Sequence, residues 1–249
     1  MKEKYGKLFV VGVGPGSLDE MTHHARKAIK SADVIVGYSA YIDLIASLCS
    51  GKVVIASGMG GEVERCEAAL RETLLGRTVA LISSGDAGIY GMAGLALEIA
   101  QAKNIEFPDA IEIVPGVPAC VAAAALVGAP LMNDFASISL SDLLNAWEKI
   151  EKRIAAAASG DFVACLYNPR STNRMQQLEK AREIFLKHRS PETPVAIVRN
   201  AFRDGQKKVV TTLDAMLSHD IDMLSIVIVG NSETESDGRW MVTRRGYLQ

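Results

Sequence analysis

At 249 residues the chain is long enough for one large domain or two small ones with a well-buried core. Hydrophobic residues make up 49% and charged residues 22%, which excludes disorder by composition. With 27 basic against 29 acidic residues and a formal net charge of −2, there is no basic stripe of the kind a general nucleic-acid binder shows.

The first apolar run, at 8–11, follows three lysines and is broken at once by Gly12, Gly14, Pro15 and Gly16. It is too short for a signal peptide or a membrane span. Continuous apolar runs of strand length follow at 34–37, 53–55, 78–82 and 111–114. Continuity rather than alternation is what strands buried on both faces of a parallel sheet show. Between them, Met21, Ala25, Ala28 and Ile29 recur at helical spacing, and 62–75 is rich in strong helix formers. This is a βαβ series. Pro115, Gly116 and Pro118 interrupt it, and the alanine-rich stretch 119–131 reads as a buried helix. A second series of strands is expected at 136–140, 162–167, 194–198, 208–212 and 225–229, with helices at 143–158 and 173–188. Asp204 and Gly205 read as a hairpin turn, so a mixed sheet suits this half. The expected fold class is α/β, with two α/β domains at 1–117 and 118–249, a parallel sheet in the first and a mixed sheet in the second.

The loop Gly12-Val13-Gly14-Pro15-Gly16-Ser17 stands between a strand and a helix, where a dinucleotide fingerprint would stand. Its spacing is G-x-G-x-G, Pro15 removes a backbone donor, and the second strand ends in Gly37 and Tyr38 with no acid for a ribose hydroxyl. A tight structural turn or a backbone loop closing over a flat ligand remains. Cys49, Cys66, Cys120 and Cys165 have no metal-ligand spacing and read as free thiols in a reducing cytoplasm. His23, His24, His188 and His219 share no ligand spacing either, so no metal is expected.

Read together with Ser84 to Gly91, Val114-Pro115-Gly116-Val117-Pro118-Ala119, Val198-Arg199-Asn200-Ala201 and Ile228-Val229-Gly230-Asn231-Ser232, that loop resembles the tetrapyrrole methylase family along essentially the whole chain. Residues 83–92, Leu166-Tyr167-Asn168-Pro169-Arg170-Ser171, 199–206 and Met241-Val242-Thr243 look like the branch that methylates precorrin-3B at carbon 17. Arg244 departs from the family's pattern, which has a proline there, and bears on how the tail packs. The resemblance implies S-adenosylmethionine as cofactor, S-adenosylhomocysteine as product, and a homodimer of two-domain subunits with the active-site cleft between domains. It places the cofactor against Gly85, Asp86, Ala87, Ile89, Tyr90, Pro118, Ala119, Tyr167, Asn168, Ala201 and Ser225, and turns Gly14, Pro15 and Gly16 toward the tetrapyrrole. The implied activity is methyl transfer to carbon 17 of precorrin-3B or cobalt-factor III, coupled to ring contraction, in cobalamin biosynthesis. No nucleic acid and no membrane is expected as partner.

Methyl transfer from a sulfonium needs positioning more than nucleophile activation, and near-attack geometry contributes about 7–11 kcal/mol. The absence of a triad in the sequence is consistent with that. Asp86, in a Gly-Asp-Ala-Gly turn, is read either as a turn stabiliser or as a cofactor contact, and the two roles are compatible. Ring contraction requires proton transfer, for which Ser17, Asp86 and Tyr90 are the candidates. A polycarboxylate substrate calls for cations. Arg170, Arg199 and Arg203 are the expected partners, with Arg174 as a further candidate that opens a helix and is otherwise a solvated residue. The rival readings are a family member acting on another ring carbon or on a target such as diphthine or ribosomal RNA, and a non-catalytic nucleotide-binding α/β protein.

Overall fold

The computed structural model describes residues 5–105, 110–171 and 174–247. Its contacts divide the chain into two units, Met1–Ala119 and Cys120–Gln249. In the first, β1 (Leu8–Gly12), α1 (His23–Ser31), β2 (Val34–Tyr38), α2 (Ser39–Asp43), β3 (Val53–Ser57), α3 (Glu62–Leu74), β4 (Val79–Ser83), α4 (Ala93–Ala102) and β5 (Ile111–Val114) follow one another. The strands form an all-parallel sheet in the order β3-β2-β4-β1-β5. Side chains alternate across it. Leu8, Val10, Val36 and Leu81 pack under Cys66, Ala69 and Leu70 of α3 and Ala93 and Ala96 of α4. Phe9, Val11, Ile35 and Ile82 pack under Ala25 and Ile29 of α1 and Ile42 of α2. Each fully buried Val, Leu, Ile or Phe among them contributes about 1.5–3 kcal/mol by leaving water.

Full burial of every strand is not what the structure shows. Val53 and Val54 of β3 are exposed, as is Ile113 of β5. These are the two edge strands, and an edge has a neighbour on one side only.

The second unit holds α5 (Ala119–Val127), which begins at the boundary, then β6 (Gly128–Ala129), β7 (Phe135–Ser139), α6 (Trp147–Ser159), β8 (Val163–Tyr167), α7 (Gln177–Leu186), β9 (Pro194–Arg199), β10 (Lys207–Thr212), β11 (Ser225–Val229), β12 (Thr234–Ser236) and β13 (Met241–Thr243). Its main sheet, β10-β9-β11-β8-β7, is mixed, with only β7 and β8 parallel. Ile150, Ile154, Leu178 and Phe185 of α6 and α7 cover one face, and Cys120, Ala123, Ala124 and Val127 of α5 cover the other. The β9–β10 hairpin turns through Gly205 at φ 74°, where the sequence placed it.

Three helix boundaries differ from expectation. The alanine-rich helix stops at Val127, because Gly128 leaves helical backbone (φ 131°) and pairs, as β6, with β13. The helix expected from 143 starts at Trp147 and leaves Leu143 and Leu144 82% and 95% exposed. Upstream of it, local bonds hold a turn: Ser139 Oγ accepts the Ser141 N–H (3.2 Å), and Asp142 accepts from Gln177 Nε2 (2.9 Å). The helix expected over 173–188 spans Gln177–Leu186, and Asn173 lies outside the described residues. Arg174 therefore opens no helix. It bridges to Ser171 through reciprocal 3.1 Å backbone bonds and is only 6% exposed.

At the tail, Arg244 donates its N–H to Glu233 O (3.0 Å) and its guanidinium to Glu235 (2.5 Å). A proline has no N–H for the first of these bonds.

Candidate active site

In the first unit three loops leave the carboxyl ends of the adjacent strands β1, β4 and β5, where open α/β sheets bind ligands. They are sewn together by backbone. Gly14 N donates to Gly85 O (3.0 Å) and Gly85 N to Gly14 O (2.8 Å). A Cβ on Gly116 would stand 2.1 Å from Gly85 O and 2.6 Å from Gly12 O, and one on Gly12 would stand 2.7 Å from Gly116 N. No side chain fits between these strands' ends. Asp86 spans two of the loops: Oδ1 accepts the Gly88 N–H (2.8 Å) and Oδ2 the Gly116 N–H (3.0 Å). Thr22, which the sequence did not single out, caps α1 by accepting from Ala25 N (3.0 Å) and donates its hydroxyl hydrogen to Pro115 O (3.2 Å). Its only signal in the sequence was the N-cap preference of threonine.

The other expected residues of this unit fall as follows. Gly14 and Pro15 are buried, Gly16 is half-buried, and Ser17 Oγ accepts from Asp19 N (3.1 Å) to cap a 3-10 turn at Leu18–Glu20. Ala87 points into the core. Ile89 and Tyr90 reach the surface, Tyr90 with a left-handed backbone at φ 54°. Pro118 and Ala119 are half-buried, with Pro118 Cα 3.8 Å and Ala119 N 3.7 Å from where a Gly85 Cβ would sit.

In the second unit the expected residues gather at one end of the mixed sheet: the carboxyl ends of β8 and β9 and the amino end of β11. Tyr167 Oη accepts the Cys120 N–H in the first turn of α5 (3.1 Å), and burial holds the phenol protonated well above its ordinary range. Asn168 (φ 51°) donates from Nδ2 to Ser139 Oγ (3.0 Å). Asn200 and Phe202 are also left-handed, at φ 50° and 55°, and flank the half-buried Ala201. Asn200 N donates to Leu224 O (3.1 Å). Non-glycine residues in that conformation are uncommon and gather where a structure over-determines them for a purpose.

The arginines are placed unequally. Arg199 Nε donates to Asp222 Oδ2 (2.7 Å), and Asp222 Oδ1 accepts from Leu224 N (2.9 Å) and Ser225 Oγ (3.0 Å). Burial pushes the Asp222 carboxyl up, but the Arg199 guanidinium, the Ser225 hydroxyl and the Leu224 N–H outweigh it and hold the group below the usual carboxylate range. Arg199 thus braces the loop bearing Ser225. Arg170 pairs with Glu179 (3.3 Å), and its buried Nε has no hydrogen-bond partner among the described residues. Arg203 is half-buried at the β9–β10 turn. Among the described residues no group of three or more His, Cys, Asp or Glu is arranged to hold a metal ion.

The chain thus has two α/β units, one with a parallel and one with a mixed main sheet, and glycine-packed loops at the strand ends of the first. The chain belongs to the tetrapyrrole (corrin/porphyrin) methylases, whose family model matches residues 7–217. It is 48% identical over 244 residues to the cobalt-factor III methyltransferase of Priestia megaterium, covering 97% of this chain but only 45% of that protein. A Salmonella typhimurium protein named "Probable cobalt-factor III C(17)-methyltransferase" is 48% identical over 240 residues, covering 96% of this chain and 99% of the other. The crystal structure of the methyltransferase CobJ superposes with a TM-score of 0.89 at 36% identity, covering 96% of this chain and 100% of that one.

Proposed function

We propose that the protein is an S-adenosylmethionine-dependent methyltransferase that methylates carbon 17 of cobalt-factor III, with ring contraction, in cobalamin biosynthesis. The observation that carries this reading is the likeness to a cobalt-factor III C(17)-methyltransferase along nearly the full length of both chains. The cobalt-free substrate, precorrin-3B, is the second reading. A soluble cytoplasmic homodimer is part of the proposal.

When bound, S-adenosylmethionine would supply an activated methyl group, its carbon–sulfur bond breaking as the bond to ring carbon forms and its sulfur keeping the electron pair. The residues present suit such a molecule. Ile89 and Tyr90 offer exposed surface, Pro118 and Ala119 offer backbone, and Asn168, Ala201 and Ser225 are the proposed contacts from the second unit. Asp86 holds the loops in register through Gly88 and Gly116, which is the positioning that displacement at carbon requires. For the substrate, Gly16 and the cations Arg170, Arg199 and Arg203 are the proposed contacts. Arg199 is already paired with Asp222 and Arg170 with Glu179, so each would divide its charge between that partner and a substrate carboxylate. Ser17 and Tyr90 are the proposed groups for proton transfer during contraction.

The test is incubation of the full chain with S-adenosylmethionine and the trimethylated precursor, with and without cobalt, read by mass and absorbance spectra. One added methyl group on the cobalt form, with the spectrum of a contracted ring, is expected. Methylation at another position, or none on either substrate, overturns the proposal.

A further inference from the structure

Arg174 is 6% exposed, and among the described residues no ion pair includes it. Its guanidinium reaches only neutral acceptors: Nη1 donates to Ser141 Oγ (3.2 Å), and Nη2 to Asn168 O (3.0 Å) and Met223 Sδ (3.3 Å). Nε is buried and has no hydrogen-bond partner among the described residues. An arginine cannot shed its proton to escape such a place, and a buried cation without a counter-charge is costly. Arg65, equally buried, has Glu62 at 3.0 Å. The cost at Arg174 is sustained by what the side chain joins. Ser141 follows β7, Asn168 follows β8, and Met223 precedes β11, so one planar fork ties three chain segments at the same end of the sheet.

We infer that Arg174 is a positioning residue for the cofactor, clamping Asn168 to the segment that carries Leu224 and Ser225. It is not a contact to the substrate's carboxylates, because its donors are turned into the protein. Asn168 stands in a left-handed conformation with its side chain bound to Ser139. The Arg174 bond to its carbonyl fixes the direction of the peptide that follows. Arg199 also braces the 222–225 segment, through Asp222, so both arginines bond to it. Lysine carries the charge but only a single donor point, and cannot reach Ser141, Asn168 and Met223 at once.

This inference rests on the proposed placement of the cofactor against Asn168 and Ser225. Calorimetry with S-adenosylhomocysteine on the full chain tests it, using Arg174→Lys, Arg174→Met and, should Arg174→Met fail to fold, Met223→Ala. Arg174→Met is expected to bind about tenfold more weakly or worse, as loss of a charge-assisted hydrogen bond implies. Arg174→Lys should recover part of the loss, and Met223→Ala should fall between the parent and Arg174→Met. In steady-state assays the Michaelis constant for S-adenosylmethionine should rise, while that for the tetrapyrrole stays within about twofold. Asn168→Ala and Gly85→Val serve as references for the placement. If these two lose affinity while folded Arg174 and Met223 variants keep it, the role of Arg174 is wrong and the placement stands. If the reference variants also bind as the parent does, both fall. A rise confined to the tetrapyrrole's Michaelis constant makes Arg174 a substrate contact and overturns the inference.

Discussion

Replacing Asp86 separates a carboxylate that holds loops from one that moves protons. Both of its oxygens are engaged, Oδ1 with Gly88 N at 2.8 Å and Oδ2 with Gly116 N at 3.0 Å. Hydrogen bonds to a charged group contribute about 1.5–3 kcal/mol each, and for a half-buried carboxylate the lower end applies. Asp86→Ala, which removes both, is expected to cost about 3 kcal/mol. Asp86→Asn keeps one acceptor and turns an amide toward the other N–H, so it should cost about 1.5 kcal/mol or slightly more. Urea denaturation gives the totals, and amide exchange at Gly88 and Gly116 shows where the loss falls. Binding of S-adenosylhomocysteine should weaken in the same order, Ala more than Asn, because the loops are held by these two bonds. Parental stability and unchanged exchange at both amides in Asp86→Asn would refute the bracing role. Should that protein also lose turnover, the carboxyl acts on the reaction itself.

Two further outcomes follow from the geometry. Gly116→Ala places a Cβ 2.1 Å from Gly85 O, so it should destabilise the first unit by about 1–3 kcal/mol and abolish S-adenosylhomocysteine binding; a variant with parental melting and calorimetry would show that the loops can part. Asp222 has a depressed folded-state pKa, so its contribution is complete above the unfolded value of about 3.9 and is lost as pH falls through the lower folded value. The stability gap between parent and Asp222→Asn should therefore hold from neutral pH down to about 4 and close below it; a gap that does not vary over the acid range contradicts the Arg199 bracing.

The strand order could not be read from the sequence, but the ten strands of the two main sheets could, because continuous apolar runs admit few alternatives; the short strands β6, β12 and β13 were not among those expected. What misled was the assumption that every such run is buried on both faces, which fails at Val53 and Val54 because nothing in a short run tells a central strand from an edge. The glycine loop at 12–16 was legible as something other than a dinucleotide cradle. The reason for its glycines was not. The contact that needs Gly12 lies on Gly85 and Gly116, far away in sequence, and packing against another segment's backbone leaves no local periodicity. The same holds for Arg174, which read either as a partner for a substrate carboxylate or as a solvated residue opening a helix, and whose three acceptors lie far apart in sequence.

The contact among Gly12, Gly85 and Gly116 bears on how proteins built on this frame diverge. With backbone atoms packed against one another and no room for even a methyl group on Gly12 or Gly116, a substitution at either leaves no neighbouring side chain to shrink in compensation. Drift through single tolerated steps is closed at these positions, and the three segments change together or not at all. Variation in substrate choice is accordingly expected to accumulate on exposed surface that can alter one residue at a time, such as the turn bearing Leu143 and Leu144. A library aimed at a new acceptor would be better spent there than on the glycines that first draw the eye.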